Sequence, residues 1–302
     1  MKPDISTQVG AIKLERPTML ASGILGISLD VFARLYKEGV GALVTKSLSK
    51  EPWEGYANPT LIGVKAGYLN AVGLSNPGAP YFAKMISSNK TIPIIVSLVG
   101  SVEEDFTFMI KQFENVKILG YELNLSCPHV AKVGLEVGDD PELVHKIVKS
   151  VKSHSKVPVI AKVGLGSSDY LETVRVACEA GIDAITAINT VRAMAIDVET
   201  TRPILSNKIG GLSGPAIKPI AVRCVYEISS KFDIPIIGCG GVSSWEDAIE
   251  FILAGSSAVQ IGSALGDKWI GVFSEINNGI SKYMEKKGFT KIKEMVGSAK
   301  RF

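Results

Sequence analysis

The stretch VPVIAKV at residues 157–163, followed by AITAI at 184–188, decides the fold. Both runs are almost wholly apolar, and between them Leu171, Val174 and Cys178 recur at helical spacing on one face. Strands that are apolar on both faces belong to a parallel sheet covered by helices. The segment therefore predicts a strand, a helix and a second, parallel strand.

The same rhythm extends along the whole chain and predicts a closed barrel. The apolar, β-branched runs are Thr18–Ser22, Ala42–Thr45, Ile92–Leu98, Tyr121–Leu125, Val157–Val163, Ala184–Ile188, Ile234–Gly238 and Ala258–Ile261. Eight β–α units in roughly 250 residues indicate a (β/α)8 TIM barrel. A doubly wound open sheet is the alternative, but about six strands suffice there, and no Gly-x-Gly-x-x-Gly follows the first run. We expect one α/β domain spanning residues 1–302.

Three connections are longer than a bare barrel needs. Ser47–Pro80 follows the second run, Val130–Asp140 the fourth and Val191–Pro215 the sixth. Each comes after a strand, which places it on the C-terminal face where barrel enzymes keep their active sites. Long loops in a compact domain are usually functional.

Composition excludes several classes of protein. The 302 residues are 46% hydrophobic and 21% charged, which is ordinary globular usage, and the net charge of +3 comes with no basic stripe for nucleic acid. No apolar run is long enough to span a membrane and no signal core opens the chain, so we expect a cytoplasmic protein. The four cysteines form no Cys-x-x-Cys and the three histidines no His-x-x-x-His, so we expect no metal ligands.

Polar residues stand at the ends of several predicted strands, where packing alone would favour apolar ones. They include Lys46, Asn124, Lys162 and Asn189. Because the carboxyl ends of barrel strands open on one mouth, these side chains are expected to converge on one volume.

Glycines follow the seventh and eighth runs, in Gly238-Cys-Gly-Gly241 and Ile261-Gly-Ser263. Barrels commonly bind phosphate at this place, because glycines let backbone N–H groups approach an anion. The alternative is that these glycines serve only as tight turns. Ser243 and Glu246 have capping-box spacing, which predicts a helix start just after the glycines.

Asn124-Leu-Ser-Cys-Pro-His129 is the most informative short stretch. Cys127 lies just beyond a strand end, where a thiol can be a nucleophile, a general base or inert packing. No histidine and aspartate pattern points to a thiol protease. The segment that follows contains Gly134 and Gly138, which is typical of a loop that closes over a site.

The chain resembles the class 1 dihydroorotate dehydrogenases over nearly its whole length, and most closely the 1B subgroup, whose catalytic subunit works with an iron–sulfur flavoprotein. The motifs that carry the resemblance are Leu69-Asn-Ala-Val-Gly-Leu-Ser-Asn-Pro-Gly78, Glu122-Leu-Asn-Leu-Ser-Cys-Pro128, Asn189-Thr190, Gly210-Gly-Leu-Ser-Gly-Pro-Ala-Ile-Lys-Pro-Ile-Ala-Val-Arg223 and Ile234-Pro-Ile-Ile-Gly-Cys-Gly-Gly241. Together these motifs are highly specific, whereas any single one would be a weak signal.

The resemblance implies an FMN that lies across the barrel mouth. Its phosphate would be bound at Gly214, Gly240, Gly241, Gly262 and Ser263. Lys162 would stand at the N1–C2 edge of the flavin, where a cation stabilises the negative charge of the reduced form. The other residues implied in FMN binding are Ser22, Lys46, Ser47, Asn124, Ile188 and Ser97, the last at a place where relatives often have Asn.

The resemblance also implies the reaction: oxidation of (S)-dihydroorotate to orotate in the de novo synthesis of UMP. The residues implied in substrate binding are Lys46, Asn70, Ala71, Val72, Gly73, Leu74, Asn124, Asn189 and Thr190. Amide side chains suit a pyrimidine because each offers a donor and an acceptor, and a lysine can pair with the carboxylate. Cys127 would take the proton from C5 while a hydride leaves C6 for the flavin.

The implied partners are the substrate, a second copy of the barrel, and an electron-transfer subunit that carries FAD and a [2Fe–2S] centre. The implied assembly uses neither nucleic acid nor a membrane. The chain departs from the family pattern in two places. His129 stands where many relatives have Asn, and Leu61 and Ile62 stand near Pro59 where an arginine is usual.

Two alternative activities follow from these residues. Cys-Pro-His also occurs in the pyrimidine-reducing domain of dihydropyrimidine dehydrogenases, which suggests uracil or thymine reduction as a rival. The Leu-Asn-Ala-Val-Gly-Leu block argues for the dihydroorotate type instead. A barrel lyase or aldolase that uses Lys162 as a Schiff-base nucleophile is the rival from another class of enzyme.

Overall fold

The computed structural model describes residues 3–126, 137–166 and 169–301 of the chain. In chain order its strands are β1 (Thr7–Val9), β2 (Ile12–Leu14), β3 (Thr18–Leu20), β4 (Ala42–Val44), β5 (Leu61–Val64), β6 (Gly67–Asn70), β7 (Ile94–Leu98), β8 (Gly120–Asn124), β9 (Val159–Val163), β10 (Ala184–Ala187), β11 (Val191–Met194), β12 (Ile196–Asp197), β13 (Arg202–Pro203), β14 (Ile209–Ser213), β15 (Ile236–Cys239) and β16 (Ala258–Ile261). The α-helices are α1 (Leu29–Lys37), α2 (Ala79–Ile86), α3 (Glu103–Gln112), α4 (Pro141–His154), α5 (Tyr170–Glu179), α6 (Lys218–Lys231), α7 (Trp245–Ala254), α8 (Ala264–Lys268) and α9 (Val272–Lys287).

Eight strands form a closed barrel in the order β3–β4–β7–β8–β9–β10–β15–β16, with β16 pairing back to β3. All eight pairings are parallel. Each predicted apolar run overlaps one barrel strand, with β8 beginning one residue before its run and β15 ending one residue after its run. A helix follows each strand before the next one begins. The predicted (β/α)8 TIM barrel is therefore confirmed.

The helices surround the barrel because both have an apolar face to bury. A large cluster of buried side chains fills the space between them, including Phe32 on α1, Phe106 on α3 and Phe251 on α7. The outward-facing strand residues Leu43 and Leu123 belong to the same cluster. Among the residues placed in the structure, no helix has both the length and the apolarity that crossing a membrane requires.

The hairpin β1–β2 closes the N-terminal end of the barrel. Its residues Val9, Ile12 and Leu14 are buried in one cluster with inward-facing residues of the barrel strands. The amino-terminal end of the barrel interior is therefore sealed with apolar side chains, and only the opposite end remains open.

The two long connections that the sequence left as loops join in a second sheet. The small sheet, as we call it, has the order β11–β14–β6–β5, so strands from the segment after β4 pair with strands from the segment after β10. Glycines allow the close approach: a Cβ on Gly67 would overlap the carbonyl oxygen of Ser213 on the neighbouring strand. The small sheet stands over the C-terminal end of the barrel.

Candidate active site

The inside of the barrel changes from apolar to polar along the strands. Side chains alternate between the two sides of a strand, so inward-facing residues recur every second position. The lower layer is apolar and contains Met19, Val44, Ile95, Ile160, Ala184, Ile237 and Ala258. Two residues further along, the inward positions are Ala21, Lys46, Ser97, Lys162, Thr186, Cys239 and Gln260. The polar layer therefore forms the floor of the space at the mouth of the barrel, where a ligand can bind.

Lys162 lies in a buried polar cluster that four strands supply. Its Nζ donates to Oε1 of Gln260 at 3.0 Å and lies 3.8 Å from Oε1 of Glu122. Oε2 of Glu122 accepts from Nε2 of Gln260 at 2.5 Å and from Oγ1 of Thr186 at 2.9 Å. Burial lowers the pKa of Lys162, but Cys239 and Glu122 raise it by more, so the net pKa lies above the ordinary lysine value. Lys162 is therefore held as a cation.

A chain of hydroxyl and amide groups also lines the mouth. Oγ of Ser47 lies 3.0 Å from Oγ of Ser97 and 3.3 Å from Oγ of Ser22. Nδ2 of Asn124 donates to Oγ of Ser47 at 3.2 Å, and Nδ2 of Asn189 donates to Oδ1 of Asn124 at 3.2 Å. The two strand-end asparagines are thus oriented by each other and by the serines.

One cavity of about 1,260 Å³ opens above this polar layer. The site residues that the sequence predicted and that line the cavity are Ser22, Lys46, Ser47, Asn70, Ala71, Val72, Gly73, Leu74, Asn124, Lys162, Ile188, Asn189, Thr190, Gly240, Gly241, Gly262 and Ser263. Two predicted residues do not line it: Ser97 is fully buried behind Ser47, and Gly214 is buried beside Gly241. Cys127 and His129 lie outside the described residues.

Lys46 differs from Lys162 in its surroundings. It is partly buried on the cavity wall, and no carboxylate in the described part of the chain forms an ion pair with it. Burial lowers its pKa. A partly desolvated ammonium without an internal anion is a good site for the carboxylate or phosphate of a ligand, because the ligand restores the missing counter-charge.

The glycines after β15 have a conformation that side chains would disturb. Gly240 and Gly241 have φ values of 127° and 80°, in the region that favours glycine. A Cβ on Gly240 would lie 2.8 Å from Cβ of Ala221, and one on Gly241 would lie 2.7 Å from the carbonyl oxygen of Gly214. Helix α7 then begins with a capping box, but its cap is Ser244 with Asp247, one residue later than the sequence suggested.

The small sheet forms a second wall of the cavity, which sequence reasoning missed. One face presents Tyr68, Asn70 and Arg192 to the cavity. The other face packs in a separate apolar cluster around Leu69 and Leu205. These two faces again follow the two-residue alternation of strands. Tyr68 donates a hydrogen bond to Asp267 at 2.7 Å and so ties the sheet to α8.

Some of the site residues that the sequence analysis missed lie in a recognisable sequence pattern, and others do not. Glu122 and Gln260 are polar residues inside predicted apolar strands. They could have been found from the alternation of strand side chains, because inward-facing positions recur at every second residue. Trp53, Tyr56 and Arg192 also line the cavity but lie in the long connections, where no pattern marks them.

The cavity has the chemistry of a site for a large, polar, anionic ligand. Two lysines and two asparagines meet over a floor of buried polar groups, and Oγ of Ser126 is buried with no hydrogen-bond partner among the described residues. Such unmet hydrogen-bonding groups are costly unless a ligand or water satisfies them. In the part of the chain that the structure covers, no three His, Cys, Asp or Glu side chains come together as a metal site.

Comparisons with known proteins agree on one family. The family model described as "Dihydroorotate dehydrogenase" matches residues 4–284. A Pyrococcus furiosus protein named "Dihydroorotate dehydrogenase B (NAD(+)), catalytic subunit" is 48% identical over 298 residues, which is 98% of this chain and 99% of the relative. Proteins of the same name from Methanocella arvoryzae and Methanothermobacter thermautotrophicus are 45% and 44% identical, each over 98% of both chains.

Replacing each lysine by methionine should change the free energy of unfolding by different amounts, because the two lysines have different surroundings. Lys162→Met leaves Glu122 buried without its cation, so we expect the free energy of unfolding to fall by about 3 kcal/mol. Lys46→Met removes a partly buried charge that lacks an internal counter-ion, so we expect no loss. Urea unfolding of both variants at neutral pH measures the difference, and equal losses would contradict the contrast.

Proposed function

The chain belongs to the dihydroorotate dehydrogenase family, and on that premise we propose that it oxidises (S)-dihydroorotate to orotate in pyrimidine biosynthesis with FMN as cofactor. The observation that carries the proposal is the cavity itself. A cationic lysine at its floor, a second lysine on its wall and a pair of oriented asparagines meet in one volume. These groups match the charges and hydrogen-bonding edges of a flavin and of a pyrimidine carboxylate.

The residues present fit FMN. The glycine positions 240 and 241 leave no room for side chains and so expose backbone to the cavity, and the orphaned hydroxyl of Ser126 supplies a further polar group. We assign the phosphate to Gly240, Gly241, Gly262 and Ser263, and the ring system to Ser22, Ser47, Asn124, Lys162 and Ile188. Gly214 contributes behind Gly241, and Ser97 acts through Ser47 rather than by contact. When bound, FMN supplies the hydride acceptor.

Lys46 and the asparagines account for the binding of dihydroorotate. Lys46 pairs with the substrate carboxylate, and this ion pair offsets the free energy that is lost when the Lys46 ammonium is partly buried without a counter-ion. Asn124, Asn189 and Thr190 offer donors and acceptors to the pyrimidine ring, while Asn70 to Leu74 close the site from the side of the small sheet. Asn70 is held by a hydrogen bond from its Nδ2 to the carbonyl oxygen of Gly211 at 3.1 Å.

Cys127 is the proposed general base, and it lies outside the described residues. Support comes from its place in the chain, directly after Ser126, which lines the cavity. In the overall reaction the thiolate takes the proton from C5, and the hydride at C6 leaves with its electron pair. Lys162 is ready to stabilise the negative charge that remains on the cofactor, because its ammonium is already held as a cation.

The structure argues against a lysine-dependent lyase. A Schiff-base nucleophile needs a neutral amine, whose pKa is usually depressed. Lys162 has the opposite character: Glu122 and Gln260 hold its ammonium and its pKa is raised. Uracil or thymine reduction runs in the opposite redox direction on a ring without a carboxylate, so flavin reduction and reoxidation experiments distinguish it from dihydroorotate oxidation.

The purified protein should bind one FMN per chain, and anaerobic addition of (S)-dihydroorotate should bleach the flavin without any other acceptor. The reason is that the glycine positions favour the phosphate of the cofactor, and Lys162 favours its reduced, anionic form. Titration followed by visible absorbance measures both effects. A protein that takes up no FMN would contradict the proposal. Flavin that uracil or thymine reoxidises readily, yet dihydroorotate reduces poorly, would favour the rival substrate.

Cys127→Ala should spare the binding of FMN and orotate but slow flavin reduction by about 10²–10⁴-fold, since a positioned base is lost. Stopped-flow measurement of flavin reduction by dihydroorotate tests this expectation. Cys178→Ala is the matched control, because Cys178 lies on the outer helix α5 and its replacement should leave the rate unchanged. An unchanged rate in Cys127→Ala would remove the base assignment.

The name "catalytic subunit" in the relatives implies a partner subunit. We propose that this chain forms a homodimer and passes electrons to a separate subunit with FAD and a [2Fe–2S] centre, in the cytoplasm. The physical support is that, among the described residues, no three His, Cys, Asp or Glu side chains come together to hold a metal centre, so the second redox centre is assigned to the partner.

Turnover with different acceptors tests the partner model. The chain alone, with dihydroorotate, should reduce an artificial dye and should be slow with NAD, fumarate or a quinone, because in this proposal the FAD and the [2Fe–2S] centre belong to the partner subunit. Steady-state assays with each acceptor give the comparison, and sedimentation gives the number of barrels. NAD turnover at the dye rate would refute the partner model, and fast fumarate reduction would place the chain in another subgroup.

A further inference from the structure

Glu122 is a buried carboxylate that the proposed reaction does not use. Its side chain is 0% exposed, and it does not line the cavity. Of its two oxygens, Oε2 accepts from Thr186 and Gln260, whereas Oε1 has no hydrogen-bond partner and faces Lys162 at 3.8 Å. Burying a carboxylate costs several kcal/mol unless a nearby cation compensates it. The position of Glu122 therefore requires an explanation.

The barrel register places Glu122 one step below Lys162. Lys162 pairs with Asn124, whereas Glu122 pairs with Ile160, a residue of the apolar lower layer. Gln260, from the other side of the barrel, bridges the two charges by donating to Glu122 and accepting from Lys162. Lys162 and Gln260 reach the cavity, and Glu122 supports both from beneath.

The cluster holds one positive and one negative charge at short range. Cys239 also lies beside Lys162, and burial raises the pKa of its thiol. In the described part of the chain, Glu122 is thus the counter-ion of Lys162. A counter-ion behind a cation weakens the field that the cation projects to the other side, and does so strongly where the dielectric constant is low.

We propose that Glu122 is a positioning residue for Lys162: it fixes the ammonium at the cofactor site and, by its negative charge, limits how far that ammonium would favour the reduced cofactor. The inference rests on the proposed function, because it concerns the FMN site. Its consequence has a definite sign. Removing the negative charge leaves Lys162 uncompensated, so the anionic reduced flavin should gain stability relative to the oxidised form.

Glu122→Gln should therefore make the protein bind reduced FMN about tenfold more tightly relative to oxidised FMN. For a two-electron couple, this corresponds to a rise in midpoint potential of about 30 mV. Equilibrium reduction against a reference dye measures the potential without any turnover. Thr186→Val is the matched control, because it removes one hydrogen bond to Glu122 without changing the charge, and its shift should stay within about threefold.

A double variant tests whether Glu122 acts through Lys162. A Lys162→Met background has no ammonium for Glu122 to position, so Glu122→Gln should shift the potential clearly less there than in the wild-type background. A shift of the same size in both backgrounds would overturn the positioning role, and so would a folded, flavin-loaded Glu122→Gln protein with an unchanged potential.

Flavin-free protein supplies a measurement that does not depend on the cofactor. Glu122→Gln and Lys162→Met should each lower the free energy of unfolding, and the double variant should lose clearly less than the sum, because it leaves no unpaired buried charge. Additive losses would overturn the inference. A wild-type chain that takes up no FMN would instead contradict the proposed function, and with it the predicted shift in potential. The unfolding free energies of the two single variants and the double variant would still decide whether Glu122 holds Lys162 in place.

Discussion

Inside a closed barrel every second side chain must fit in a space that water does not reach, and the rest of the structure depends on how that space is filled. At one end the hairpin β1–β2 and the lower inner layer exclude water with apolar groups. One step higher, polar and charged groups take the inward positions, and each can be buried only with a partner. The apolar end supports the polar layer, and the polar layer faces the cavity at the C-terminal end of the barrel.

The two lysines of the site show how burial gives one residue type two different roles. Lys162 is almost fully enclosed and is balanced by Glu122, so its charge is permanent and its position fixed. Lys46 is only partly enclosed and has no carboxylate partner in the described part of the chain, so burial lowers its pKa. The first is suited to stabilise charge that develops during a reaction. The second is suited to pair with an anionic ligand that binds reversibly.

The small sheet explains why two long connections belong to one site. Strands from residues 61–70 and from residues 191–213 pair above the barrel, and one face of that sheet covers the cavity. Its other face has an apolar cluster of its own around Leu69 and Leu205, so the wall does not rely on the barrel for its packing. Asn70 and Thr190 reach the same volume because this sheet brings their segments together.

The sequence by itself determined the barrel, because eight apolar runs separated by helical segments admit few other arrangements. It also determined that Lys46, Asn124, Lys162 and Asn189 would converge, since the carboxyl ends of parallel strands meet at one mouth. Family motifs then indicated the reaction and the cofactor. The sequence did not indicate which residues from distant parts of the chain contact each other inside the barrel.

Only the tertiary structure showed that Glu122, forty residues before Lys162 in the chain, is its counter-ion, and that Gln260 joins the two from across the barrel. Strand periodicity tells which way a side chain faces, but the partner that it meets inside is set by the register and closure of the whole barrel. The small sheet has the same origin: its strands are short and far apart in sequence, and they meet because the barrel brings both long connections to its C-terminal end.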